Sequence, residues 1–248
     1  MLTLYHYWSS VCSQKVRLCL IEKGVAWENR HVDIFKFEHL EPDYLRLNPN
    51  GVVPTIEHDG RVMIESTVIN EYINESFPGA ALAPAEPHAR GLMRLWVKKS
   101  DEVAHPGVAV ASYRVRHKPR LAGVPKDALL AQARRQPTAA KRAQAVSRIE
   151  HGVPEAEEEM AYTRLDELLD QMEAALVDGP WLLGGTYSLA DIALAPYINR
   201  VEVLDRPEML RPDLRPRLAD WWARMQARPA YAEAFSFANP DPTDPIAR

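Results

Sequence analysis

Apolar and polar residues alternate along Leu2-Thr3-Leu4-Tyr5, then apolar positions recur with helical spacing from Cys12 to Lys23. A change of period from two to about 3.6 marks a strand followed by a helix. Gly24 ends that helix. Ala26–Asp33 reads as a second strand, and a short helix falls near Pro42–Leu47. Two short apolar runs, Thr55-Ile56-Glu57 and Val62-Met63-Ile64, flank Asp59-Gly60, the dipeptide of a tight hairpin turn. Ser66–Phe77 is again helical and is closed by Pro78-Gly79. Residues 1–80 therefore predict a β-α-β-α-β-β-α unit with a four-stranded sheet.

Strand alternation stops there. Ala80 to Pro87 has the composition of a short linker, taken as 81–87, and residues 88–235 show only helical spacing. Leu92, Leu95, Trp96 and Val103 mark one amphipathic helix, and Tyr162, Leu165, Leu168, Leu169, Met172 and Leu176 mark another; both stripes are expected in the core. Residues 114–148 carry ten Lys or Arg against the single acid Asp127, and five acids follow between Glu150 and Glu159. Such adjacent blocks read as a solvated helical excursion. Ser188-Leu189-Ala190-Asp191 has the form of a capping box, with Tyr187 and Ile192 placed to staple it. The proline-broken stretch Asn239 to Pro245 closes a segment, 236–248, that is expected to be a loose tail.

Composition adds exclusions. The chain has 248 residues, 46% hydrophobic and 26% charged, with a formal net charge of −4. That balance offers no whole-chain attraction to nucleic acid or anionic lipid. No apolar run approaches the roughly 18 residues that a membrane span requires, and Met1 leads directly into the first strand, so a cytoplasmic protein is expected. Cys12 and Cys19 lie two helical turns apart, about 10 Å, too far for a disulfide. No cluster suggests a metal.

The candidate chemistry lies at element ends. The residue before Pro54 is pushed toward extended geometry, and an X-Pro bond reaches the cis form for only about 0.5–1 kcal/mol, so Val53 can present its backbone outward from a strand end. The helix start at Glu65-Ser66 offers unpaired N–H groups to an anion. Trp8-Ser9-Ser10-Val11-Cys12-Ser13 brings hydroxyls and a thiol to the start of the first helix. Ser10 can stabilise a ligand thiolate as a hydrogen-bond donor, or Cys12 can act as a nucleophile itself; spacing alone does not choose. Lowering a thiol pKa by about two units takes roughly 2.7 kcal/mol, within reach of a hydroxyl donor and a helix N-terminus.

The stretch Ser10-Val11-Cys12-Ser13-Gln14-Lys15-Val16-Arg17 resembles the Ser-x-Cys-Ser-x-Arg-Val-Arg segment of zeta-type cytosolic glutathione transferases. Glu38 to Pro49 is similar to the second-helix region of theta-type enzymes, and Asn50 to Pro54, Glu65-Ser66 and the 188–191 capping box match the family pattern. The long segment near 114–160, together with Lys36-Phe37-Glu38, Glu65 to Ile69 and Gly185 to Asp191, most resembles bacterial relatives of the β-aryl etherases of lignin breakdown.

The resemblance implies an α/β thioredoxin-like domain that binds glutathione as cosubstrate, an all-α domain that supplies the acceptor pocket, and a homodimer. By position, Ser10 is the thiol-activating hydroxyl, with Ser13 a second candidate; Val53 and Pro54 form the edge that pairs with the cysteinyl backbone; Glu65 and Ser66 hold the γ-glutamyl end. His39 meets the glycine carboxylate, and Lys36 joins it because Val52 stands where many theta-type sequences have Lys. Trp8, Trp96 and Tyr113 are expected in the acceptor pocket. The implied reaction is attack of the thiolate on an electrophilic aromatic or hydrophobic carbon, β-aryl ether cleavage included, as in detoxification or aromatic catabolism. Two alternatives stay open: a zeta-like glutathione-dependent isomerase, and a transferase-shaped module that binds ligands or proteins without turnover.

Overall fold

A computed structural model describes residues 1–204 and 206–238. The tail segment from Asn239 onward lies outside them. Strand β1 (Leu2–His6) buries alternate residues, and helix α1 (Val11–Lys23) crosses over to strand β2 (Glu28–His31), which pairs parallel to β1. β2 is shorter than the predicted 26–33: the ladder to β1 runs over Glu28 to His31, and one further bond, from the Val32 N–H to the His6 carbonyl at 2.8 Å, follows it. Helix α2 (Pro42–Leu47) precedes strands β3 (Thr55–His58) and β4 (Arg61–Ile64), a hairpin turned at Asp59-Gly60 and joined antiparallel to β1. The sheet order is β2-β1-β3-β4, and helix α3 (Ser66–Ser76) follows.

The second domain opens with helix α4 (Pro87–Lys99) and α5 (His105–Ser112). Two π-helical segments, Ser100–Ala104 and Tyr113–His117, join these and the short turn α6 (Lys118–Arg120) into one nearly continuous rod. Helices α7 (Lys126–Arg134) and α8 (Ala139–His151) form the excursion expected from the charge blocks. The long α9 (Glu155–Ala175) returns, and α10 (Leu189–Val201), α11 (Pro216–Gln226) and α12 (Pro229–Phe235) complete the bundle.

Helix α1 is buried on nearly every side because α3 packs on one flank while α10 and α12 cover the other. Two of its buried cations, Lys15 and Arg17, therefore reach across to the second domain. Lys15 donates to Asp101 at 3.1 Å and Ser100 at 3.3 Å; Arg17 donates to the Ala234 carbonyl at 2.9 Å and the Trp8 carbonyl at 2.8 Å. Phe237 lies against Arg17, 4.5 Å from its guanidinium, so residues near the start of the expected tail pack on the first domain.

The capping box at the start of α10 is formed, with Asp191 also accepting from the Leu182 N–H at 3.0 Å and the Trp221 indole at 2.9 Å. Burial raises its carboxyl to about 6. Tyr187 meets Trp181 edge-on, at 4.9 Å, and lies under the Arg228 guanidinium, at 3.7 Å. The α9 stripe is buried as the spacing predicts. The α4 stripe is not. Leu92 and Leu95 are 43% and 56% exposed, and Met93 and Val97 face the core instead, since α4 lays that flank on α10. Where α5 crosses α9, Gly107 has no room for a side chain: a Cβ there would stand 2.7 Å from Leu165.

Candidate active site

Ser10 caps α1. Its φ of −68° and ψ of 125° are extended, and its hydroxyl oxygen accepts from the Ser13 N–H at 3.3 Å. That bond occupies a lone pair and leaves the hydroxyl proton to donate outward, so the capping role and a thiol-activating role are compatible. Ser13 itself is fully buried, its Oγ accepting from the Tyr7 N–H at 3.3 Å, and it is not in the wall of the adjoining cavity.

Asn48 and Tyr44 shape the next edge. Asn48 Nδ2 donates to the Val52 carbonyl at 2.8 Å and to Thr55 Oγ1 at 3.0 Å, while the Tyr44 hydroxyl donates to the same carbonyl at 2.7 Å. The Val53–Pro54 bond is cis. Among the described residues the chain supplies no partner to the Val53 N–H or C=O, which leaves a strand-like edge for a peptide-like ligand. Glu65 has a φ of 70°, a conformation unusual for a residue with a Cβ, and its carboxylate accepts from Asn50 Nδ2 at 3.1 Å. Ser66 then begins α3 with its first-turn N–H groups unsatisfied by the helix.

These edges open on one cavity of about 670 Å³, which Ser10, Val53, Pro54, Glu65, Ser66 and His39 all line. Tyr113 lines it from the second domain. Trp8, Trp96 and Lys36 do not. The Trp8 ring stands 5.7 Å from the Arg120 guanidinium; Trp96 packs beside the core under the Lys99 ammonium; and Lys36 Nζ is 3.8 Å from Asp33.

The far wall is built by residues that the sequence reading passed over as a solvated excursion. Arg116, His117 and Arg120 reach the cavity from the rod's C-terminal end, and Lys141 and Arg148 reach it from α8. α7 and α8 are clamped to the first domain: Arg135 donates to the Leu40 carbonyl at 2.9 Å, and Lys141 donates to the Asn50 carbonyl at 2.7 Å. Gly51 makes this approach possible, with φ at +57° and a virtual Cβ only 3.0 Å from Pro137. His39 is held neutral, its pKa lowered to about 4 by burial and by the charges of Arg135 and Lys141, and its Nδ1 has no hydrogen-bond partner among the described residues.

Cys12 is the third chemical group in the wall. Its Sγ lies 3.6 Å from His105 Nδ1 and 3.7 Å from the Tyr197 hydroxyl. Burial pushes this thiol up, but the hydrogen bond and charge of His105, the Lys15 ammonium and the Tyr197 hydroxyl outweigh it and bring the pKa down to about 7. His105 is correspondingly raised, by its bond to Cys12 against the effect of burial. Cys19, deep in the core, is pushed up by burial instead.

The glutathione S-transferase N-terminal domain model matches residues 9–76, and the corresponding C-terminal domain model matches residues 132–224. A tetrachloro-p-hydroquinone reductive dehalogenase of Sphingobium chlorophenolicum is 33% identical over 94% of both chains. The chain belongs to the glutathione S-transferase family. Protein LigF of Sphingobium sp. strain NBRC 103272 / SYK-6 is 30% identical over 94% of this transferase and 93% of LigF. The crystal structure of β-etherase LigF superposes with a TM-score of 0.88 at 29% identity, covering 94% of this chain and 98% of that one. A theta class glutathione S-transferase of Xanthomonas axonopodis pv. citri, solved with glutathione bound, superposes with a TM-score of 0.72 at 26% identity over 96% and 98%. The two-domain architecture expected from the sequence is thus the glutathione S-transferase fold. Among the described residues no helix is long and apolar enough to cross a membrane, and no cluster of side chains could hold a metal.

The residues that sequence reasoning missed in this transferase are Lys141, Arg116, Arg120 and His105. Arg116, Arg120 and Lys141 lie in the block of ten cations against one acid, a pattern that a charged surface shares with a cavity wall, and His105, outside that block, carries no such signal.

Proposed function

We propose that glutathione lies along the Val53 edge and that its thiolate, held by the Ser10 hydroxyl, attacks an electrophilic carbon of a hydrophobic aromatic acceptor in the remainder of the cavity. A carbon–sulfur bond forms and the leaving group departs with the electron pair. The observation that carries this reading is the convergence of the Ser10 hydroxyl, the Val53 edge and the Ser66 helix start on one cavity of about 670 Å³.

In this arrangement Glu65 accepts from the γ-glutamyl ammonium and Ser66 donates to its carboxylate. His39 donates to the glycine carboxylate as a neutral imidazole, and Lys141 supplies the charge that Val52 does not. Ser13 acts through Ser10, because its N–H fixes the Ser10 oxygen. Tyr7, Phe35 and Tyr113 provide aromatic surface for the acceptor. The relatives named for an etherase and a dehalogenase support an acceptor whose aromatic ring neighbours an ether or halide leaving group, and hence a role in aromatic catabolism or detoxification. Two free thiols fit a cytoplasmic setting. A homodimer is supported by Val68 on α3 and Leu92 and Leu95 on α4, exposed on the two helices that the Arg94–Glu71 ion pair joins.

The Cys12–His105 contact favours a second reading, in which the Cys12 thiolate attacks the sulfur of a glutathione mixed disulfide, so that a new S–S bond forms to Cys12 as the old one breaks and the other thiolate leaves. Ser10→Ala separates the two. In the first reading it lowers kcat/KM by about 10²-fold, the scale of losing one preorganised donor, with glutathione affinity held within about threefold. In the second, Cys12→Ala causes that loss and Ser10→Ala does not.

A further inference from the structure

Arg200, from α10, is buried beside the thiol site, its Nη2 donating to the Ser9 carbonyl at 2.6 Å. Arg116 and Arg120, one helical turn apart, enter the cavity from the opposite helix. The Arg120 guanidinium lies 4.3 Å from the Phe35 ring and 5.7 Å from the Tyr7 ring. The aromatic walls continue through edge-on contacts, Phe35 with His117 at 5.6 Å and His117 with Tyr113 at 6.3 Å. Three guanidiniums and a set of flat rings therefore bound one end of the cavity.

Asp33 acts favourably on Arg120, but the other two guanidiniums are poorly balanced. Among the described residues neither Arg116 nor Arg200 has a carboxylate partner within ion-pair distance. Arg200 is depressed to about 9, by burial first and then by Arg116 and Arg120. His117 is held neutral, pushed down to about 4 by burial and by four surrounding arginines, 200, 116, 120 and 148. The two acids in the cavity wall are committed elsewhere: Asp101 accepts from Lys15 and Thr67, and Glu65 accepts from Asn50 at the glutathione end. Like charges gathered in a partly dry cavity cost stability unless an anion joins them.

We propose that the Arg116–Arg120–Arg200 end of the cavity binds a carboxylate, so that the acceptor is an aromatic carboxylic acid bearing the electrophilic carbon. The inference deepens the proposed transferase reading and rests on it for the word acceptor. A guanidinium meets a carboxylate as a planar fork, and the Phe35–His117–Tyr113 surface suits the attached ring. The carboxylates of glutathione have their own donors at the other end, Ser66, His39 and Lys141.

The test compares two isosteric, unreactive probes, 4-methylbenzoate and 4-methylbenzamide, by equilibrium dialysis against the full chain with and without saturating glutathione. The benzoate is expected to bind at least about tenfold more tightly, the scale of a hydrogen bond to a charged group. That advantage should fall below about threefold in Arg116→Gln and in Arg120→Gln, and should be partly kept in Arg116→Lys, which retains the charge without the fork. Turnover of 4-(chloromethyl)benzoate against 4-(chloromethyl)benzamide should show the same preference in kcat/KM. Equal binding of the two probes, or an advantage that survives both glutamine variants, overturns the proposal. Failure of the wild type to bind glutathione defeats the transferase reading alone, because the probe pair without glutathione still decides the anion site. Melting temperatures screen the variants for folding, and Arg116→Lys serves if a glutamine variant does not fold.

Discussion

Val53 and Ser66 line the cavity where backbone groups are left unpartnered among the described residues, whereas Arg116, Arg120 and Lys141, with long side chains, line it from helices far along the chain. The near wall is fixed by local geometry: a proline, a positive-φ residue, a helix start and the bonds that Asn48 and Tyr44 make to the Val52 carbonyl. Each of those devices leaves a signature in a few consecutive residues. The far wall is fixed by where α7 and α8 dock, and docking depends on contacts such as Arg135 to Leu40 and Pro137 to Gly51, roughly ninety residues apart in the chain. A wall made from backbone serves a constant ligand, and a wall made from side chains can change its ligand by substitution.

The largest break should come from Asp191, on which both walls depend because it seats α10 beneath α1. Asp191→Ala strands the Leu182 and Ser188 N–H groups and the Trp221 indole, all buried, and is expected to destabilise by about 3–5 kcal/mol in urea denaturation. A loss under about 1 kcal/mol would show that the capping box is dispensable.

Gly51→Ala comes next. It places a Cβ against Pro137 at a left-handed position, and is expected to cost about 1–2 kcal/mol and to raise the glutathione KM as the far wall is displaced. An unchanged KM would mean that the two walls act independently. Lys141→Met addresses the far wall's single contribution to glutathione. Its expected effect is about a tenfold rise in the glutathione KM, near 1.4 kcal/mol, with the acceptor KM little changed; the reverse split would move Lys141 to the acceptor subsite.

The smallest effect is a pH profile. Iodoacetamide should modify Cys12 with a midpoint near pH 7, while Cys19 stays unreactive in the folded protein. In His105→Ala the Cys12 midpoint should move upward, because the hydrogen bond and the positive charge that favour the thiolate are both removed. A midpoint that does not move would assign the perturbation to Lys15 or Tyr197 instead.

The first domain is legible almost element by element, since period changes, Gly24 and Asp59-Gly60 are local signals, whereas in the second domain only the regions of α4, α9 and α10 are, and α5, α7, α8, α11 and α12 have no such marker. The α4 stripe was misjudged because Leu92, Leu95 and Trp96 and the neighbouring pair Met93 and Val97 each fit a helical face, and only packing against α10 selects the latter. Trp8 and Trp96 were expected at the acceptor by residue type, yet they stand outside the cavity wall, and Phe35 and Tyr7 stand inside it. Residue type does not reveal which face of an element a ring occupies. The π-helical turns at Ser100–Ala104 and Tyr113–His117, which shift the phase of the rod, are equally silent in the sequence.

The most direct test of the account is the ultraviolet thiolate absorbance of bound glutathione, titrated with pH in the wild type, Ser10→Ala, Ser13→Ala and Cys12→Ala. The bound thiol is expected to titrate about two units below its ordinary pKa in the wild type and in Cys12→Ala, and to return to near 8.5 in Ser10→Ala. An ordinary thiol pKa in the wild type, or a low pKa that survives Ser10→Ala, would contradict it.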